Sequence, residues 1–203
     1  MQEKASQSSK GRPVILGSQS PRRREILSYF TLPFVQQPPA FDESSIPYRD
    51  NPGDYVCTLA KGKSRAIEAG GEEIVVTADS VVIYENKVFG KPRDENEAFE
   101  MLSTLCGNRH KVYTGISVRK GSVVYSDFEM TKVWLNELQP AQIKAYQKRC
   151  HSIDKAAGYA IQREGSIIVQ EIQGCFYNVM GLPVNTLREL LMKVGIDLWD
   201  YIA

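Results

Sequence analysis

No two of the four cysteines stand close enough to form a Cys-x-x-Cys pair, and histidine occurs only twice, at positions 110 and 151. The usual zinc spacings are therefore missing. Cys57, Cys106, Cys150 and Cys175 read as reduced, mostly buried thiols of a reducing compartment, which predicts a cytoplasmic protein. An excess of either charge is lacking too: 25 basic residues face 24 acidic ones, for a net charge of +1. A duplex-binding protein would carry a basic excess, so no polymeric nucleic acid is expected as partner. Apolar runs, such as that over residues 80–84, are far too short to span a bilayer, and no membrane partner is expected. Residues 1–12 contain no apolar stretch that would make a secretory signal and read as a disordered tail. That leaves residues 13–203 as one domain, long enough to bury a core without staples.

What is present alternates between helical and extended patterns. Residues 14–16 predict a short buried strand, and Ser20 followed by Pro21 predicts the start of a helix over 22–30. Five prolines between 33 and 53 predict a long irregular loop, a kind of segment that often carries function. Asp54 predicts a cap for a helix reaching about residue 69, and Asp94 with Glu97 predicts another that stops at Gly107. Strands are predicted at 74–77, 81–84, 111–118, 123–128, 131–135, 159–161 and 166–172, with helices from Pro140 to about 149 and over 184–194. The interleaving predicts an α/β fold with a mixed sheet.

Four clusters carry possible chemistry. Ser18, Ser20, Arg22 and Arg23 stand where a strand runs into a helix, so unpaired N–H groups, two hydroxyls and guanidiniums can form a phosphate socket. Arginines in a first turn oppose the helix dipole, which suggests that an anion is expected there; a plainly capped surface helix is the alternative. Lys63 falls within the apolar stripe of Val56, Leu59, Ala60 and Ile67, so its ammonium either snorkels outward or enters a cleft holding an anion. Asp79, followed by Ser80, lies among strand-forming residues, where aspartate is disfavoured. It can ligate a metal, act as a base or hold a turn. Lys91 follows at a rigid Gly-Lys-Pro loop, and Gln162 ends a strand-like stretch with an amide able to donate and accept at a pyrimidine edge.

Taken together, these elements resemble the Maf family of nucleoside triphosphate pyrophosphatases over residues 14–191. Ser18 to Arg23, Ala60 to Lys63, Ala78 to Val82, Gly90 to Pro92, Gly107 with His110 and Thr114-Gly115, and Asn178 to Pro183 all match family blocks. The stretch from Asp154 to Gln162 resembles the branch that acts on dTTP and UTP; the 7-methyl-GTP branch differs there. The resemblance implies a single domain with a mixed sheet, flanking helices and a deep nucleotide cleft. It also implies a homodimer and an association with septum formation, so a nucleotide-binding regulator of cell division is the rival outside enzymology. Asp79 would be the catalytic base, Lys63 and Lys91 would bind phosphates, and Arg22, Ser80 and Gln162 would select the substrate. A divalent cation, Mg2+ or Mn2+, would be held by Asp79 with Glu43 from the proline-rich loop. The chain departs from the family at three places: Ser80 replaces a usual Thr, Ala157-Gly158 inverts a usual Gly-Ala, and Arg163 replaces a usual Gly.

Overall fold

The computed structural model describes residues 13–150 and 152–202. The tail expected over 1–12 lies outside them. β1 (Val14–Gly17) leads through α1 (Pro21–Leu27) to β2 (Phe34–Gln36), and α2 (Pro52–Arg65) then crosses to β3 (Ile74–Tyr84). β4 (Lys87–Phe89), α3 (Glu95–Leu105), β5 (Arg109–Lys120), β6 (Val123–Leu135) and α4 (Pro140–Cys150) follow. β7 (Val169–Gln173), α5 (Phe176–Met180), α6 (Val184–Met192) and a 3-10 turn at Leu198–Tyr201 come next. The strands form one mixed sheet in the order β2-β1-β3-β5-β6-β7, parallel across its first three members and antiparallel beyond, with β4 also pairing β3.

Several sequence expectations need correction. Residues 74–77 and 81–84 belong to one strand, because Asp79 and Ser80 continue the β3 ladder opposite Gly115 and Thr114. Residues 123–128 and 131–135 likewise form the single strand β6. Residues 34–36 pair with β1 inside the supposed loop. Asn51, not Asp54, caps α2: its side chain accepts from the Asp54 N–H at 3.2 Å, and Pro52 opens the helix. The helix ends at Arg65, where Arg119 donates to Ser64 O and Ile67 O at 3.0 and 2.7 Å. Residues 159–161 form no strand, and 163–167 form a 3-10 turn before β7.

The period of two in β3 decides what lies where. Val76 and Ala78, with Ile116 and Val118 opposite, belong to one apolar cluster with α1 and α6, while Val82 and Val112 belong to a second with α3 and α4. Val75, Val81 and Ile83 face the other way, toward α2. Between the clusters runs a polar band, Ser80 opposite Thr114 on one face and Asp79 opposite Gly115 on the other. On its far edge β3 pairs β1 through residues 75–77 and β4 through 82–84, leaving 78–81 without a strand partner there. Side chains from both faces can therefore reach one cavity around that open edge.

The segment leading into the 3-10 turn carries backbone strain. Ala157 and Arg163 adopt φ values of 54° and 55°, the left-handed region where glycine has no steric penalty. These are two of the positions where the family usually has glycine. Arg163 is exposed, so Arg163→Gly removes strain without opening a cavity. The variant is expected to gain up to about 1 kcal/mol, seen as a melting temperature raised by roughly 2–4 °C. An unchanged or lower melting temperature would show that the left-handed turn costs nothing here.

Candidate active site

Lys63 reaches the open edge because the backbone of α2 lies directly against Gly115 of β5. A Cβ built on Gly115 would sit 2.5 Å from the Val56 carbonyl carbon, so glycine is needed for the backbone of α2 to settle beside Asp79. On the outer side of the helix the Phe41 ring packs against Gly62, which brings the 3-10 turn Glu43–Ser45 over the same place. The Lys63 ammonium is buried and pairs with Asp79 Oδ1 and, at 2.7 Å, with Glu43 Oε1. The inward reading of the stripe thus has a geometric basis: Lys63 lies inside, whereas Lys61 is half-buried and Arg65 exposed.

Burial pushes the Asp79 carboxyl above its ordinary range and outweighs the pull of Lys63 and Arg23 in the other direction. Glu43 behaves oppositely. Burial raises it, but Lys63, Lys91 and Arg23 together hold it below the ordinary value. Two neighbouring carboxyls with pKa values pushed apart are the arrangement from which a base and a permanently charged partner are made. Among the described residues no group of three or more His, Cys, Asp or Glu side chains is placed to hold a metal by itself. Two carboxylates without a third fit Mg2+ or Mn2+ completed by substrate phosphates and water, rather than a closed protein cage.

On the opposite wall Ser20 caps α1 as expected, accepting from the Arg23 N–H at 3.4 Å. The Arg23 side chain turns back into the protein. Its Nε donates to Gly181 O at 2.8 Å, Nη1 to Ala78 O at 2.8 Å and Ser18 Oγ at 3.5 Å, and Nη2 to Ser80 Oγ at 3.1 Å. The Ala78 carbonyl lies in the stretch of β3 that has no strand partner on its far edge, so Arg23 takes the place of a missing strand. Ser80 Oγ lies 2.8 Å from Thr114 Oγ1, whose own proton goes to Asn178 O at 2.9 Å. The Ser80 proton is thus committed to Thr114. Arg22 remains at the rim, 4.0 Å from Asp154.

Ser18, Ser20, Arg22, Arg23, Glu43, Lys63, Asp79, Ser80, Lys91 and Gln162 all line one cavity of about 530 Å³. Gln162 Oε1 is buried and has no hydrogen-bond partner among the described residues. Asp154 and Tyr159, which belong to the stretch matched to the dTTP and UTP branch, line the same cavity, as does Tyr55, which was not singled out from the sequence. Tyr55 had a signal: Tyr55, Leu59 and Lys63 recur every four residues, so one helix face carries all three to the cavity. The signal for Tyr159 was only its place in the stretch from 154 to 162, since that segment is irregular and has no periodicity.

Comparison with known proteins adds to this geometry. A protein from Chlamydia caviae named dTTP/UTP pyrophosphatase is 43% identical over 192 residues, covering 94% of this chain and 98% of its own. One from Clostridium botulinum with the same name is 41% identical over 191 residues, 91% of this chain and 98% of that one. A Chlamydia muridarum protein named nucleoside triphosphate pyrophosphatase is 40% identical over 195 residues, 95% of this chain and all of that one. The family model described as Maf-like protein matches residues 13–194, and the chain belongs to that family.

Proposed function

We propose that this protein hydrolyses dTTP and UTP to the nucleoside monophosphate and pyrophosphate. The observation that carries the reading is the placement of Asp79, a buried carboxylate in the cavity wall, held against an ammonium and beside a second carboxylate. Asp79 Oδ accepts a proton from the water whose oxygen attacks the α-phosphorus. The bond from that phosphorus to the α–β bridging oxygen then breaks, and pyrophosphate leaves with the electron pair. Lys63, Lys91 and Arg22 offset the phosphate charge, so the barrier falls through positioning and electrostatics. Asp79 and Glu43 would hold a divalent cation, which would supply further neutralisation of the triphosphate charge. Arg23 and Ser80 act one step back, fixing the open edge of β3 on which Asp79 stands.

The amide of Gln162 faces the base. Its Oε1, without a hydrogen-bond partner among the described residues, accepts from the imide N–H of thymine or uracil, whereas cytosine presents an acceptor at that position. Family resemblance extends the proposal to a homodimer that works in the cytoplasm on free nucleotides. No helix among the described residues is long and apolar enough to cross a membrane.

The test is a pyrophosphate-release screen over dTTP, UTP, dCTP, the purine triphosphates and 7-methyl-GTP. Pyrophosphate and monophosphate are expected, with dTTP and UTP turned over fastest. Release of inorganic phosphate with a diphosphate would place the attack at the γ-phosphorus, and a preference for 7-methyl-GTP would overturn the base assignment. Nucleotide binding with negligible turnover would favour a regulator.

A further inference from the structure

Residues 155–162 carry Gln162 to the cavity, yet none of them pairs in the sheet. An irregular segment takes its position from individual anchors, three of which are seen among the described residues. The Ala157 N–H donates to Gly90 O at 2.8 Å. Tyr146 brackets Ala160, accepting from its N–H at 3.0 Å and donating to its carbonyl at 3.3 Å. The third is Tyr159, which lines the cavity with Gln162 and whose hydroxyl lies 2.6 Å from His110 Nε2. The two rings meet edge to face at 5.3 Å.

His110 is an expensive residue for a core position. It sits in β5, only 1% exposed, and its Nδ1 has no hydrogen-bond partner among the described residues. Burial pushes its imidazole down to about 4, so at neutral pH the ring is uncharged. A phenylalanine would fill the space without an orphaned nitrogen. What histidine adds is a partner for the Tyr159 hydroxyl, three residues before Gln162.

We propose that His110 is a positioning residue for base selection: through Tyr159 it fixes Gln162 against the pyrimidine edge and so governs discrimination between an imide base and cytosine. The inference rests on the cavity being a nucleotide site. Its signature separates it from simple core packing, because removing the hydrogen bond should loosen base choice while leaving stability nearly intact.

Wild type, His110→Phe, His110→Gln and Tyr159→Phe are compared for kcat and KM on dTTP and on dCTP, with melting temperatures from the same preparations. In His110→Phe and Tyr159→Phe the ratio of kcat/KM for dTTP over dCTP is expected to fall roughly tenfold, chiefly through KM for dTTP. Melting temperatures should stay within a few degrees of wild type. His110→Gln, whose amide can still meet the hydroxyl, should recover part of the ratio. If His110→Phe does not fold, Tyr159→Phe decides, since it keeps the ring and its packing. An unchanged ratio in Tyr159→Phe overturns the inference, as does an equal loss on both nucleotides with a lowered melting temperature. A wild type without preference for dTTP over dCTP overturns the proposed function instead.

Discussion

Replacing Asp79 with asparagine is expected to lower turnover by a factor on the order of 10² or more, the lower end of what a positioned base contributes. Shape and most hydrogen-bonding capacity survive the change; basicity and charge do not. Stability should move the other way. A carboxyl whose pKa is higher in the folded than in the unfolded chain stabilises the fold only while protonated. That contribution is complete below the ordinary carboxylate value and is lost as pH rises through the raised one. Burial raises Asp79 in this way. At neutral pH the ionised side chain is therefore a cost, and Asp79→Asn removes it while Lys63 keeps its contact with Glu43. Thermal melts in chelator should show the variant at least as stable as wild type at neutral pH. The difference should fade as pH falls through the raised value. Near-normal turnover would remove Asp79 from the role of base. A large loss of melting temperature at neutral pH would make it a structural partner of Lys63.

The opposite change in charge has the opposite effect on stability. Glu43, Lys63 and Asp79 together hold two negative charges and one positive charge. Asp79→Asn brings that trio to neutrality, whereas Lys63→Met leaves two carboxylates facing each other with no cation between them. Removing one partner of a buried ion pair costs on the order of 3 kcal/mol, and methionine keeps the packing of the lysine stem. In chelator Lys63→Met should melt well below wild type. Added Mg2+ or Mn2+ should raise its melting temperature more than that of wild type, because the metal supplies the missing charge. KM for dTTP should rise severalfold, while Lys61→Met should be close to neutral. A variant with unchanged stability and affinity would mean that the ammonium does not serve the cavity. Lost stability that metal restores no better than in wild type would mean that the two carboxylates are not a cation seat.

Much of this site was legible because it lies on regular elements. The apolar stripe of α2 left Lys63 either snorkelling outward or entering a cleft, a choice that the fold settles, and Ser20-Pro21 marked the helix start that carries Arg22 and Arg23. Other parts were hidden for physical reasons. Asp79 and Ser80 looked like a break between two strands because propensity disfavours aspartate in a ladder; the ladder continues because Lys63 and the open edge accommodate it. Arg23 reads as a phosphate ligand in the sequence, and only the fold shows that its guanidinium, at the cavity wall, also donates to Gly181 O, Ala78 O, Ser18 Oγ and Ser80 Oγ. The β-rich residues 159–161 suggested a strand, but their hydrogen bonds go to side chains from α4 and β5, a choice no local pattern encodes.

The close seat of α2 on Gly115 has a consequence for how the protein tolerates change. Side-chain contacts between a helix and a sheet can slide or refill when a core residue is replaced, and the helix shifts with them. Here the separation beside Asp79 is set by main chain resting on main chain, with no side chain in between that could swell or shrink. The spacing of ammonium and carboxylate is thereby insulated from drift in the surrounding core. Val56, Val81 or Ile83 can vary at some cost in stability, and the two charges will still meet.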